Sequence, residues 1–225
     1  MSDRQRGDRG NEGEGVSVFD NESDVIKNGV KAFSGHSVNF RKLQAGIEVL
    51  DFRKPGTCWY YVRVVFDNER GAVYISGDLG EAVVYPTCPA TLTGVASCFT
   101  CRAGDIRVNA GYFIEKVRCS SDLYEWSVEL FRKDFTQNCR ERCIVLPDDF
   151  LDEHLDPYFA DIEVDDRNGV RISGDAKAEL EDQDHDYWEW LYDCGKCVSP
   201  RVILWLVAIR LAYEAVTRGS EVVSK

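Results

Sequence analysis

Two pairs of closely spaced cysteines are the residues whose spacing most directly suggests chemistry. Cys98 and Cys101 lie in CFTC, and Cys194 and Cys197 lie in CGKC. Thiolates separated by two residues have the local spacing of structural zinc sites, and two such pairs would complete a four-cysteine site. The pairs are far apart in the sequence, however, and CFTC lies in an apolar run where cysteine commonly serves as a small core residue. We therefore expect no cofactor, with zinc as the open alternative.

The acidic turn in VYISGDLGE is a second candidate for chemistry. Metal-assisted hydrolysis needs several converging carboxylates or imidazoles, and the sequence around Asp78 offers only two glutamates in no recognisable spacing. A phosphate-binding loop would lead into a helix, whereas GDLG leads into the strand-like EAVVY. Gly77 and Gly80 suit a hairpin with unusual backbone torsions, and a carboxylate can accept hydrogen bonds from the amides of such a turn. We expect Gly77, Asp78 and Gly80 to form a structural turn; a hydrolase would instead lose its activity on Asp78→Asn with the fold intact.

The histidines do not form a catalytic pattern. His36, His154 and His185 are scattered, and the sequence contains neither HExxH nor a serine or cysteine context typical of a nucleophile. The sequence therefore predicts a protein that is not an enzyme.

Negative charge is concentrated in one segment of the chain. Residues 145–193 contain 17 Asp and Glu against 3 Lys and Arg, a net charge of −14, while the rest of the chain carries 24 basic and 22 acidic residues, or +2. Such a surface repels nucleic acid and favours basic partners, among them proteins that themselves bind DNA. We expect a protein partner and no direct binding of nucleic acid, although an acidic face can also serve solubility alone.

The acidic segment ends in the aromatic run YWEWLY, which is a candidate anchor for a protein interface. Tryptophan and tyrosine are enriched among the residues that dominate binding energy, although such clusters more often pack in a core. The predicted partner-binding residues are Asp182, Asp184, Asp186, Trp188 and Trp190.

These residues need elements that position them. The runs VNFRKLQAGIEVLDFRK, WYYVRVVF, AVYIS and EAVVY are rich in β-branched and aromatic residues and are separated by turn-forming residues, which predicts an antiparallel meander from Val38 onward. A short helix is expected before it, in ESDVIKNGVKAF. After it, apolar spacings of three and four predict helices in ATLTGVASCFTC, DIRVNAGYFIEKVRC and SSDLYEWSVELFRKDF, the last capped by Ser120, Ser121 or Asp122.

The last third of the sequence is expected to be mainly helical. Pro147 is placed to begin a helix, IEVDDRNGVRISG resembles a hairpin, and residues 175–194 are predicted to form one helix. Ser199 and Pro200 are expected to begin a further helix that Gly219 ends. Its apolar run VILWLVAI is eight residues long, far short of the roughly 20 that span a bilayer, so we expect a buried helix and no membrane contact.

The sequence thus predicts an α+β fold, an antiparallel β-meander with packed helices followed by an acidic helical C-terminal region. Residues 1–20 are expected to form a disordered arm because the first fifteen lack aromatic and branched aliphatic side chains. The α+β body is expected over residues 21–146 and the acidic region over residues 147–225. The beginning of the chain lacks the apolar stretch of a secretion signal, which predicts a cytoplasmic protein.

Three stretches resemble a set of small phage and prophage proteins: VYISGDLGEAVVYP, GYFIEKVRCSS with the following YEWS, and AIRLAYEAV. The resemblance spans about residues 59–126 and 200–216. Within this set the chain is most similar to the Gabija anti-defence proteins. The resemblance implies that the chain binds a bacterial nuclease and NTPase complex as a multimer and keeps DNA out, without catalysis. The family has no catalytic residues to transfer, and the N-terminal arm and the acidic segment are the least comparable parts.

The combined expectation is a phage-encoded inhibitor that binds a bacterial anti-phage defence complex in the host cytoplasm. We also expect a homo-oligomer, because the C-terminal helix carries more apolar surface than a single contact would cover. The alternative is a small zinc-binding protein that uses the CxxC pairs.

Overall fold

The structure, a computed structural model, describes residues 18–165 and 168–223. Within these ranges the chain forms eight helices and twelve strands in an α+β arrangement, which confirms the predicted fold class. The helices are α1 (Val18–Ala32), α2 (Leu92–Phe99), α3 (Ala110–Glu115), α4 (Val128–Arg142), α5 (Phe150–Leu155), α6 (Gly174–Gln183), α7 (Tyr187–Leu191) and α8 (Pro200–Val223). The strands are β1 (Ser37–Lys42), β2 (Ile47–Arg53), β3 (Val62–Asp67), β4 (Ala72–Gly77), β5 (Ala82–Val84), β6 (Thr100–Ala103), β7 (Asp105–Val108), β8 (Val117–Ser120), β9 (Tyr124–Trp126), β10 (Ile162–Asp165), β11 (Gly169–Ile172) and β12 (Lys196–Val198).

The main sheet is the predicted antiparallel meander. Its six strands follow the order β1-β2-β3-β4-β5-β8, so that each of the first five pairs with its neighbour in the sequence. The alternation of apolar and polar residues sets the register: Val64 pairs with Leu50 and Ile75 on the core side, while Arg63 pairs with Asp51 on the opposite side. The turn after β3 lies in DNERG, with Gly71 in a left-handed conformation.

Helix α8 packs in the centre of the first hydrophobic core, with α1, α2, α3 and the meander around it. Its residues 202, 203 and 205–209 are all buried, which confirms that VILWLVAI forms a buried helix. Gly29 lets α1 approach closely, since a Cβ there would lie 2.6 Å from the Leu204 Cδ2 atom. The chain itself therefore covers the apolar surface from which we predicted a homo-oligomer, and that prediction needs a different basis.

A second hydrophobic core lies between α4, α5, α6, α7 and the β10–β11 hairpin. Aromatic rings dominate it, with Phe135 stacked on Phe150 at a centroid distance of 5.7 Å. Strand β12 pairs with β9 and leads into α8, which returns the chain to the first core. By packing, α4 thus belongs with the acidic region and α8 with the meander, a grouping that differs from the predicted division at residue 147.

Several predicted helices are shorter than the sequence pattern suggests. Strands β6, β7 and β8 occupy parts of the segments predicted as helices after Pro89, and these segments are helical only in α2, α3 and the beginning of α4. Helix α4 is capped by Ser127, whose hydroxyl accepts a hydrogen bond from the Leu130 amide, and not by Ser120, Ser121 or Asp122. YEW pairs with β12 as strand β9, because a partner distant in the sequence satisfies its backbone.

The ends of the chain also differ from expectation. Helix α8 continues past Gly219 to Val223, since a glycine weakens a helix by about 1 kcal/mol without ending it. The disordered arm was predicted over residues 1–20. Residues 1–17 of it lie outside the described residues, and residues 18–20 form the beginning of α1. None of the helices in the described part of the chain combines the length and the apolar character that crossing a membrane requires.

Candidate functional site

The acidic and aromatic segment predicted to bind a partner is two helices and not one. Helix α6 ends at Gln183 and α7 begins at Tyr187. Asp184 causes the break: its carboxylate accepts hydrogen bonds from the Trp190 indole nitrogen at 3.0 Å and from the Asp186 amide at 3.0 Å. Aspartate side chains compete in this way with helical backbone bonding.

Asp184 and Trp190 consequently face the second core. Trp190 is buried against Phe135, with a ring distance of 5.5 Å, and the Arg142 guanidinium lies over its ring. The same guanidinium is 3.7 Å from the Asp184 carboxylate. These contacts give Asp184 and Trp190 a supporting role beneath the surface.

Replacing Asp184 by alanine is expected to lower the free energy of unfolding by about 1–3 kcal/mol, because the buried Trp190 indole would lose its acceptor. The hydrogen bond from Trp190 also lowers the pKa of Asp184. The stabilisation is therefore present above the ordinary carboxyl pKa and is lost as the pH falls through the lowered one. Urea unfolding of the wild type and of Asp184→Ala between neutral and acidic pH measures both effects. The exposed Asp182→Ala is the matched control, and an equal loss of stability in both variants would contradict this role.

The remaining predicted binding residues lie on the surface. Asp182 and Asp186 are exposed, and Trp188 is 52% exposed. Tyr192, four residues after Trp188 at the end of α7, is 48% exposed, so the two rings project from the same side of the helix. We call Asp182, Asp186, Trp188 and Tyr192 the α6–α7 face. These two rings and two carboxylates are exposed to solvent, and packing of the second core does not account for them.

The SGDLG turn has structural contacts. The Asp78 carboxylate accepts a hydrogen bond from the Tyr60 amide at 2.8 Å, and the Asp78 amide donates to the Tyr61 carbonyl at 2.9 Å. Gly77 and Gly80 both have positive φ angles, of 133° and 93°. The turn thus holds the end of β4 against the loop that precedes β3, which supports the structural interpretation.

The two cysteine pairs contribute to different hydrophobic cores. Cys98 packs against the first core and Cys194 is buried in the second. Cys98 hydrogen-bonds to Cys88, and burial, with this bond, raises the pKa of Cys88 to about 12. Cys101, by contrast, is exposed on β6. Among residues 18–165 and 168–223, no group of three or more histidine, cysteine, aspartate or glutamate side chains is arranged to hold a metal ion.

The CGKC motif forms a tight connection between α7 and β12. Burial raises the pKa of Cys194 to about 12, so that its thiol is protonated at neutral pH. The Cys197 thiol donates to the Glu125 carbonyl at 3.4 Å. Between them Gly195 has a φ of 76°, its amide donates to Asp134 at 3.0 Å, and its carbonyl accepts from Ser127. The spacing that resembled a zinc site places a glycine against the beginning of α4.

Asp51 and Asp161 are two of the engaged carboxylates that were not predicted from the sequence. Asp51 accepts hydrogen bonds from the Tyr61 hydroxyl at 2.7 Å and from Arg41 and Arg63 at 3.1 and 3.2 Å. These partners lie on the face of the meander opposite the core, and desolvation and then Asp51 raise the pKa of Tyr61. The alternation of side chains along β2 is enough to predict that Asp51 lies on that face. It does not identify the side chains that hydrogen-bond to Asp51. The network cross-links three strands.

The second missed carboxylate is Asp161. Its Oδ2 atom lies 3.0 Å from Nδ1 of the buried His154, which packs on Phe150. The Asp161 carbonyl accepts from the Ser173 amide and so joins the loop after α5 to the beginning of α6. No sequence signal pairs His154 with Asp161.

Comparison of the chain with protein-family models, with curated proteins and with solved structures gives no significant match. The similarity to the Gabija anti-defence proteins therefore stays a prediction.

Proposed function

We propose that this chain acts by binding, without catalysis, and that its α6–α7 face occupies a basic, DNA-handling surface of a bacterial anti-phage defence complex. The target suggested by the sequence resemblance is a nuclease and NTPase complex of the Gabija type, met in the cytoplasm of the infected host. The observation that carries the proposal is Trp188, which is half-exposed on α7 in a segment where Asp182 and Asp186 are exposed as well.

The different positions of buried and exposed residues within the segment support this proposal. Trp190 and Asp184 fix α7 to the second core, so that Trp188 is presented from an ordered helix. A ring that is already positioned loses less conformational entropy on binding than one on a flexible tail. The α6–α7 face thus combines a preorganised aromatic anchor with a negative rim.

The rim provides selectivity for a basic partner. Residues 145–193 carry the −14 charge, and this charge attracts the Lys- and Arg-rich surface that otherwise contacts phosphates. Association driven by such charges is fast and weakens with salt, because exposed charges are screened over about 10 Å at about 0.1 M. The chain would thereby compete with DNA for one surface.

The double substitution Asp182→Lys and Asp186→Lys, combined with Trp188→Ala, is expected to weaken binding at least tenfold, since it removes the anchor and reverses the rim. The measurement is binding of the purified chain to a purified Gabija-type complex at low and high salt, with duplex DNA as competitor. Wild-type binding should fall with salt, and DNA should displace the chain.

The matched control is Glu69→Lys with Glu115→Lys, which changes the net charge equally at exposed sites outside the acidic region. Its affinity should stay near that of the wild type. No binding by the wild-type chain at low salt, or equal losses in both variants, would refute the proposal.

A further inference from the structure

The loop between α5 and β10 exposes two adjacent aromatic rings. Tyr158 is 94% exposed and Phe159 is 62% exposed, so neither packs substantially against its own chain. We call residues 156–161 the aromatic loop. Exposed rings of this size are unusual on a soluble surface unless they bind something, because each can bury about 150–250 Å² on contact.

The aromatic loop is held in one conformation by its own backbone. The amides of Phe159 and Ala160 donate to the Asp156 carbonyl at 2.9 and 3.0 Å, and the Tyr158 amide donates to the Asp156 carboxylate at 2.9 Å. The pairing of Asp161 with His154 fixes the other end. The backbone that carries the two rings is therefore ordered, which lowers the entropic cost of docking them.

The charge around the aromatic loop determines what can bind it. Residues 145–165 contain eight aspartates and glutamates and neither lysine nor arginine. Contact between the loops of two copies about a two-fold axis would bring like charges together, which is unfavourable. The occupant must instead offer an apolar surface with a basic rim.

This chain carries such a surface on its first core. A groove of about 750 Å³ runs between α1 and the β6–β7 hairpin, with apolar lining that includes Val30 and Val108. Two acidic side chains, Glu22 and Asp105, also line it. The cationic side chains that line it are Lys27, Lys31, Arg102 and Arg107. We call this the α1 groove. Lys27 pairs with Asp24 and Arg102 with Glu214, so the cationic side chains offered to an occupant are Lys31 and Arg107.

We propose that the aromatic loop of one copy docks into the α1 groove of a second copy, so that the chain associates head to tail. Tyr158 and Phe159 enter the apolar part, while the carboxylates around the loop face Lys31 and Arg107, both of which are exposed. Because the two surfaces differ, the contact is heterologous and leaves one groove and one loop free at the ends, unless the copies close into a ring. This association does not involve the α6–α7 face.

The test is sedimentation velocity of the wild-type chain over a range of concentrations at low and high salt. The sedimentation coefficient is expected to rise with concentration at low salt and to rise less at high salt. Tyr158→Ser with Phe159→Ser, and separately Lys31→Glu with Arg107→Glu, should each weaken the association at least tenfold. Thermal unfolding should be nearly unchanged, because all four side chains are exposed.

Variants with reversed charges, tested alone and mixed, distinguish the proposed contact from any other mode of association. Glu153→Lys with Glu163→Lys reverses the rim of the aromatic loop, and each charge-reversed variant alone should associate weakly. A mixture of this variant with Lys31→Glu, Arg107→Glu should recover association. Lys54→Glu with Arg118→Glu, outside both surfaces, should behave as the wild type. A monomer at every concentration, association that survives the groove substitutions, or a mixture that stays monomeric would each overturn the proposal.

Discussion

Gly195→Ala is expected to destabilise the chain by about 2–6 kcal/mol, although the substitution adds one methyl group. Gly195 has a φ of 76°, a conformation that costs a residue with a side chain about 1–3 kcal/mol. The added Cβ would also lie 2.8 Å from both the Ser127 carbonyl oxygen and the Phe131 Cβ. Moving the beginning of α4 away to relieve this contact disturbs the second core, at a further cost of about 1–3 kcal/mol. Urea unfolding measures the loss.

Gly56→Ala is the matched control for this prediction. Gly56 has nearly the same φ, 78°, but a Cβ there would meet nothing within 4 Å. It should therefore lose only the conformational part of the free energy. If both variants lose the same amount, the close approach to α4 contributes nothing and the role assigned to Gly195 is wrong.

The same motif separates the structural interpretation from the zinc alternative. A zinc site requires the thiolates of Cys194 and Cys197, so that protein purified without added metal would contain stoichiometric zinc that is lost when either cysteine is replaced. The structural interpretation requires the glycine. Under it Gly195→Ala destabilises more than Cys197→Ser, whose thiol makes one hydrogen bond to a carbonyl.

The meander was predictable because its signals are local. Strands such as VRVVFD are rich in β-branched and aromatic residues, and the residues between them favour reversal of the chain, so that pairing follows from neighbouring residues. Strand β9 shows where such reasoning fails. YEW follows an apparent helical pattern, but its partner β12 lies about seventy residues further along the chain. A local pattern does not report such a partner.

The acidic and aromatic segment was partly predictable for the same reason. Composition located the carboxylates and the tryptophans, but their orientation depends on Arg142 from α4 and on the core that Phe135 provides. Charge alone places Asp184 in one group with Asp182 and Asp186. Its hydrogen bond to Trp190 withdraws both residues from the surface, and only the tertiary structure distinguishes Trp190 from the exposed Trp188.

Gly77→Ala is expected to destabilise the meander by about 3 kcal/mol or more. Gly77 ends β4 with a φ of 133°, and an added Cβ would overlap the carbonyl oxygen of Tyr61 and lie 3.0 Å from its carbonyl carbon. These are backbone atoms, so that relief requires β3 and β4 to separate where Val62 pairs with Gly77. The hydrogen bond from the Tyr60 amide to Asp78 would be lost with them.

Gly71→Ala, in the turn between β3 and β4, is the control for this prediction. Gly71 has a φ of 64° and open space around its Cβ position, so that Gly71→Ala should cost only about 1–3 kcal/mol of conformational strain. Thermal and urea unfolding of both variants give the comparison. Asp78→Asn completes it, since the amide oxygen can still accept the Tyr60 hydrogen bond and should preserve most of the stability. If Gly77→Ala is no worse than Gly71→Ala, SGDLG does not hold the two strands together, and the residues of this turn become candidates for another role.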